Sequence, residues 1–186
     1  MCVDRWASEP RTIDAPALIA EDEDGAVRTL SFGELAAAVD RAAAGLRALG
    51  VRPGDAVGVF LPMVPEAVIA AYAIAKVGAL WVPIFSGFAP GAVASRLQDA
   101  GCRVVVCADG TRRKGRTRLL KPVLDEALVT CPEVTTTIVV EQVGDAVALR
   151  PGRDVTWSAF LAGTDPGGGR DPEPTSSEHQ FLLAYT

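Results

Sequence analysis

Ala56-Val-Gly-Val-Phe-Leu61, Pro65-Glu-Ala-Val-Ile-Ala-Ala-Tyr-Ala-Ile-Ala-Lys76 and Leu80-Trp-Val-Pro-Ile84 follow one another with only a few residues between them. The first run is short, apolar and preceded by turn chemistry at Val51-Arg-Pro-Gly-Asp55, so it reads as a buried strand. The second is long enough for a helix and apolar on nearly every face, which requires packing on several sides. Gly78 stops it, and the third run is again a short strand. A strand, a helix and a strand joined by short links make the unit of a parallel sheet.

The same texture extends in both directions. Upstream, Ser31-Phe-Gly-Glu34 has the spacing of a capping box. Leu35, Val39, Ala42, Leu46 and Leu49 then mark one face of a helix that Gly50 ends. The acidic run Glu21–Asp24 before Gly25 reads as a hairpin connection and not as a metal site, which would need a defined ligand set. Downstream, Ala89-Pro90-Gly91 opens a helix with Val93 and Leu97 inward. Val104–Val106 is a strand, Pro122 begins a helix striped by Val123, Leu124, Ala127 and Leu128, and Ile138–Val140 is a strand. The expected fold class is α/β: a layered, mostly parallel sheet with packed helices. Residues 1–162 read as one α/β unit, 163–178 as a Gly/Pro-rich loop, and 179–186 as the start of a further strand. That strand, Phe181–Tyr185, stops with the chain at Thr186, which suggests truncation. The helix over 65–78 is expected to leave apolar surface uncovered.

Composition narrows the function classes. An apolar fraction of 49% with 22% charged residues is that of a folded globular chain and not of a disordered one. A net charge of −5 disfavours broad nucleic-acid binding. The apolar stretch from Val64 to Pro83 contains Glu66 and Lys76, so it is not read as a membrane span; the start of the chain has no signal-peptide core, and the expected location is cytoplasmic. Cys2, Cys102, Cys107 and Cys131 have no CxxC spacing and there is a single histidine, so reduced, buried thiols are expected and no metal site. His179 has no partner in a nucleophile motif, and Gly167–Gly169 lacks the Lys-Ser/Thr of a phosphate loop. No catalytic residue is assigned.

The most unusual stretch is Arg112-Arg-Lys-Gly-Arg-Thr-Arg118, five cations in seven residues, placed between a strand and a helix. Three readings fit it: a solvated basic loop, a phosphate-binding loop in which guanidinium forks clamp oxygens, and a contact for nucleic acid or protein.

Taken in order, Thr29–Leu35, Leu46–Val57, Leu61–Ala67 and Lys76–Pro83 resemble the opening of the adenylate-forming enzymes. Cys2–Trp6, Phe85-Ser-Gly-Phe-Ala-Pro90 and Ala108–Arg116 with Leu120–Leu128 are similar to the acetyl-CoA synthetase branch of AMP-forming acyl-CoA synthetases. The resemblance covers essentially the whole chain and implies part of the large N-terminal domain of that fold. It implies a parent that uses ATP, Mg2+ and coenzyme A to activate a short-chain, acetate-like carboxylate through an acyl-adenylate. It further implies that Arg113, Lys114, Gly115 and Arg116 contact the phosphorylated adenosine end of coenzyme A. Only part of a coenzyme A site is expected here. In the family the phosphate loop follows the positions of Tyr185-Thr186, so the chain alone is expected to be inactive and to need the remainder of the synthetase. The partners implied are the carboxylate, ATP and coenzyme A, with neither nucleic acid nor membrane. An acetoacetyl- or propionyl-CoA synthetase, and a non-catalytic binding module, are the alternatives.

Overall fold

The computed structural model describes residues 2–144, 147–165 and 168–185. Met1, the side chain of Cys2, Gly167 and Thr186 lie outside them, and with them the readings made on those positions. In chain order the elements are α1 (Cys2–Ala7), β1 (Pro16–Glu21), β2 (Val27–Ser31), α2 (Phe32–Ala48), β3 (Ala56–Phe60), α3 (Pro65–Lys76), β4 (Leu80–Pro83) and α4 (Pro90–Asp99). They continue as β5 (Val104–Ala108), β6 (Gly110–Arg113), β7 (Arg116–Leu119), α5 (Lys121–Ala127), β8 (Thr136–Val140), β9 (Asp154–Thr156) and α6 (Trp157–Ala162).

The central sheet runs β4-β3-β5-β8-β9, with each neighbouring pair parallel. Every residue of β3 and β5 is buried, as befits strands covered on both faces. From β3 the chain steps outward through α3 to β4, then returns through α4 to β5 on the other side of β3. Two right-handed crossovers in opposite directions put α3 and α4 on opposite faces. Accordingly α3 packs against α2, and α4 against α5.

Helix α2 begins as its sequence dictates. Ser31 accepts the Glu34 N–H at 3.2 Å, and the Glu34 carboxylate accepts the Ser31 N–H at 2.8 Å. Its buried face covers one side of α3, while Ala67, Val68, Ala71, Tyr72 and Ala75 form a partly exposed apolar stripe on another. Lys76, at the end of α3, is buried because its ammonium reaches Asp4 of α1 at 2.7 Å and also Asp40 of α2. A charge that breaks an apolar run in the sequence thus ties three helices together.

Besides the strands β6 and β7, three elements escape the sequence reading. Helix α1 has six residues, too few to show a stripe, although Val3 is in the core. Strand β9 has three residues. Helix α6 does carry a readable signal, since Thr156 accepts the Ala159 N–H as an N-cap.

The described part of 163–178 is irregular but docked. Arg47 donates to the carbonyls of Gly168 and Asp171 at 2.9 and 2.7 Å, and the Glu173 N–H reaches the Lys76 carbonyl at 2.8 Å. Gly169 lies so close to α2 that a Cβ there would sit 1.7 Å from the Asp40 oxygen. His179 bonds the Gly78 carbonyl at 2.9 Å. Beyond it the chain runs beside β4: the Trp81 N–H donates to Phe181 and the Leu183 N–H donates back to Trp81.

Cys102, Cys107 and Cys131 are free and buried. Burial pushes the Cys102 thiol up to about 12 and raises Cys107 as well, which makes both poor nucleophiles. Among the described residues no helix is long and apolar enough to cross a membrane.

Candidate functional site

In a parallel α/β sheet ligands collect beyond the carboxyl ends of the strands, where the strand order reverses. Here the reversal falls at β3 and β5. The chain leaves β3 through Pro62-Met63-Val64 and leaves β5 at Asp109. Between these exits lies a cleft of about 320 Å³, lined by Glu21–Asp24, Pro62–Val64, Thr111, Arg112, Gln142 and Val143.

Asp109 fixes the wall of that cleft. Its side chain is buried, and its carboxylate accepts the N–H groups of Gly110 (2.6 Å), Gln142 (2.8 Å), Val143 (3.2 Å) and Gly144 (3.1 Å). Its carbonyl accepts from Leu120 and Lys121, and its own N–H donates to Val140. One residue therefore clasps both ends of the segment 110–119 to the loop after β8.

That segment is a β-hairpin, which corrects the sequence reading of it as a loop. Strands β6 and β7 pair antiparallel with the register Arg113↔Arg116, Arg112↔Thr117, Thr111↔Arg118 and Gly110↔Leu119. The two-residue turn is Lys114-Gly115, with φ of +53° and +68°. Two successive positive φ values match the right-handed twist of the strands. Gly115 adopts this conformation without strain, whereas Lys114 is strained, since a side chain in the left-handed region costs about 1–2 kcal/mol. Lys114→Gly is therefore expected to stabilise the chain by about 1 kcal/mol in urea denaturation. An unchanged or lower midpoint would show that the lysine side chain compensates locally.

The acidic turn after β1 holds the tip of this hairpin. Asp22 shapes the turn by accepting the N–H groups of Asp24 and Ala26. That leaves Glu23 to accept the N–H groups of Lys114 and Gly115 at 2.8 and 3.2 Å, while Asp24 pairs with Arg112 at 2.6 Å. The Arg112–Asp24 pair is exposed and contributes little by itself; the two amides held by Glu23 set the orientation.

The structure thus places Arg113, Lys114, Gly115 and Arg116 together at the hairpin tip, all exposed. Cross-strand partners share a face, so Arg113 and Arg116 lie side by side. No ion pair joins either to a described residue. Two adjacent, unpaired guanidinium forks can together grip a multiply charged oxyanion. Among the described residues no group of three or more His, Cys, Asp or Glu is arranged to hold a metal ion, so no residue here is assigned to magnesium. Asp109 and Glu23 were missed by the sequence reading, because each acts through amides distant along the chain.

An α/β layer with a basic hairpin at the carboxyl ends of its strands is an architecture suited to phosphate-bearing ligands. A family model described as AMP-binding enzyme matches residues 3–186. The chain belongs to the AMP-binding enzyme family. It is 40% identical over 186 residues to acetyl-coenzyme A synthetase 1 of Candida albicans, covering 99% of this chain and 27% of that protein. It is also 40% identical over 171 residues to acetyl-coenzyme A synthetase of Chlorobaculum tepidum, covering 91% of this chain and 26% of that protein. The solved structure of acetoacetyl-CoA synthetase from Streptomyces lividans superposes with a TM-score of 0.89 at 29% identity, over 99% of this chain and 27% of that one. The chain therefore spans about a quarter of the length of the relatives it matches.

Proposed function

We propose that this chain forms part of an ATP-dependent, AMP-forming acid–CoA ligase for a short-chain, acetate-like carboxylate, and that its basic hairpin receives the 3′-phosphate of coenzyme A. The single observation that carries the reading is the Arg113↔Arg116 pair flanking the Lys114-Gly115 turn, exposed and without a described ion-pair partner. A phosphate monoester is close to a dianion at neutral pH, and two guanidinium forks offer it matched hydrogen bonds. Lys114 adds a cation at the tip, and Gly115, which has nothing within 4 Å of where a Cβ would stand, leaves the backbone approachable. ATP and magnesium belong to the proposed whole enzyme and are assigned no residue in this chain. The location proposed for it is cytoplasmic. The 40% identity to acetyl-coenzyme A synthetases supports acetate as the acid; the superposition on an acetoacetyl-CoA synthetase supports acetoacetate as the second reading.

Titration calorimetry of the chain with coenzyme A and with dephospho-coenzyme A tests the site. The 3′-phosphate is expected to contribute at least about tenfold in affinity, and the double variant Arg113→Ala/Arg116→Ala is expected to lose that increment. Equal binding of the two ligands by the wild-type chain would reject the reading. Incubated with acetate, ATP and coenzyme A, the chain alone is expected to form no acyl-CoA; product would overturn its assignment as a partial enzyme.

A further inference from the structure

The hairpin register divides its cations unevenly. Alternation along β6 and β7 puts Arg112 and Thr117 on one face and Arg113, Arg116 and Arg118 on the other. Arg112 is engaged with Asp24. The three remaining arginines share a face, are exposed, and have no ion-pair partner among the described residues. Like charges placed opposite or next to one another on a sheet face repel.

We infer that Arg118 is a further ligand-binding residue, and that it takes a second phosphate group of the same molecule whose 3′-phosphate sits at the tip. This inference rests on the coenzyme A reading given above. Arg113 and Arg116 are direct cross-strand partners and form one cationic pair at the turn. Arg118 stands two residues nearer the base, about 7 Å along the strand, and so forms a second cationic centre displaced from the pair at the turn. A coenzyme A nucleotide carries two anionic groups, the 3′-phosphate and the 5′-diphosphate, on opposite sides of one ribose. The Glu23 grip on the turn amides and the Asp109 clasp at the base hold both ends of the hairpin, so the spacing between the two cationic centres is set before the ligand arrives.

The two centres make separable contributions, which calorimetry reads with coenzyme A, dephospho-coenzyme A and adenosine 3′,5′-bisphosphate. Arg118→Ala is expected to weaken coenzyme A and dephospho-coenzyme A by the same factor, about tenfold, leaving the ratio between them intact. Arg113→Ala/Arg116→Ala is expected to collapse that ratio instead. Arg118→Lys, which keeps the charge and loses the fork, is expected to fall between Arg118→Ala and wild type, and unchanged thermal melts show that the hairpin survives each change. If Arg118→Ala binds all three ligands as the wild type does while the Arg113/Arg116 variant loses the 3′-phosphate increment, the inference falls and the coenzyme A reading stands. If the wild-type chain does not distinguish coenzyme A from its dephospho form, both fall together.

Discussion

Asp109→Ala is expected to destabilise the chain by at least about 3 kcal/mol, since each buried amide left without a partner costs about 1–3 kcal/mol. The alanine removes the acceptor for the N–H groups of Gly110, Gln142, Val143 and Gly144 at once. Partial solvation keeps the loss below a simple multiple, because the last three of these amides are only part-buried. Asp109→Asn separates the contributions. Its retained oxygen can still serve Gly110, Gln142 and Val143, while an amide NH2 facing Gly144 cannot accept, so roughly half the loss is expected. Urea denaturation measures the total, and amide exchange locates it: faster exchange is expected first at Gly110 and over 142–144. A loss below about 1 kcal/mol would mean that water replaces the carboxylate readily and that Asp109 is not the clasp of the hairpin. The functional consequence is specific. With its base released, the hairpin no longer presents its arginines at fixed spacing, so coenzyme A affinity is expected to fall although Asp109 touches no ligand.

The sheet was largely legible because its signals are local. Continuous apolar runs at 56–61 and 104–106, a helix entered through Pro65 and a capping box at Ser31–Glu34 each announce themselves within a few residues. The basic hairpin was not legible as strands. Thr111-Arg112-Arg113 and Arg116-Thr117-Arg118 are polar at every position, so the period of two that marks a strand has nothing to show it. Its turn is Lys-Gly and not the Asn-Gly or Asp-Gly that favours two positive φ values. The cluster of charge was visible; its partition between an engaged face and an open one depends on pairing register. The partners that fix the site are non-local. Glu23 lies about ninety residues from the amides it holds, and Asp109 more than thirty from three of the four it accepts. A row of four acidic residues gives no sign of which one will shape its own turn, as Asp22 does, and which will reach across to another element, as Glu23 does.

Asp154→Ala is expected to cost about 3–5 kcal/mol at neutral pH, the usual consequence of breaking a buried, hydrogen-bonded ion pair. The Asp154 carboxylate is fully buried between the Lys121 ammonium at 2.8 Å and the Arg153 guanidinium, and accepts the Arg150 N–H at 2.8 Å. Lys121 is itself buried, and also reaches Asp125 at 2.7 Å and the Ala148 carbonyl at 3.2 Å. The network joins β9 to α5, immediately after the hairpin. Without Asp154, Lys121 and Arg153 keep only Asp125 among these carboxylates. The double variant Lys121→Met/Asp154→Leu removes charge from both sides and is expected to recover a large part of the loss, because well-packed apolar groups replace buried ion pairs at little cost. The pH dependence gives a second test. Burial pushes the Asp154 carboxyl up, but hydrogen bonds from Arg153, Lys121 and the Arg150 amide outweigh it and hold it at about 2, below the ordinary value of 3.8. A depressed carboxyl contributes stability that is complete above its unfolded pKa and disappears as pH falls through the folded one. The difference between wild type and Asp154→Ala is therefore expected to be constant from neutrality to about pH 5 and to shrink between about pH 4 and 2. Urea denaturation at pH 7 and at pH 2.5 measures it. A gap of the same size at both would show that the variant loses packing and not an ion pair, and the single and double variants would then differ little at any pH.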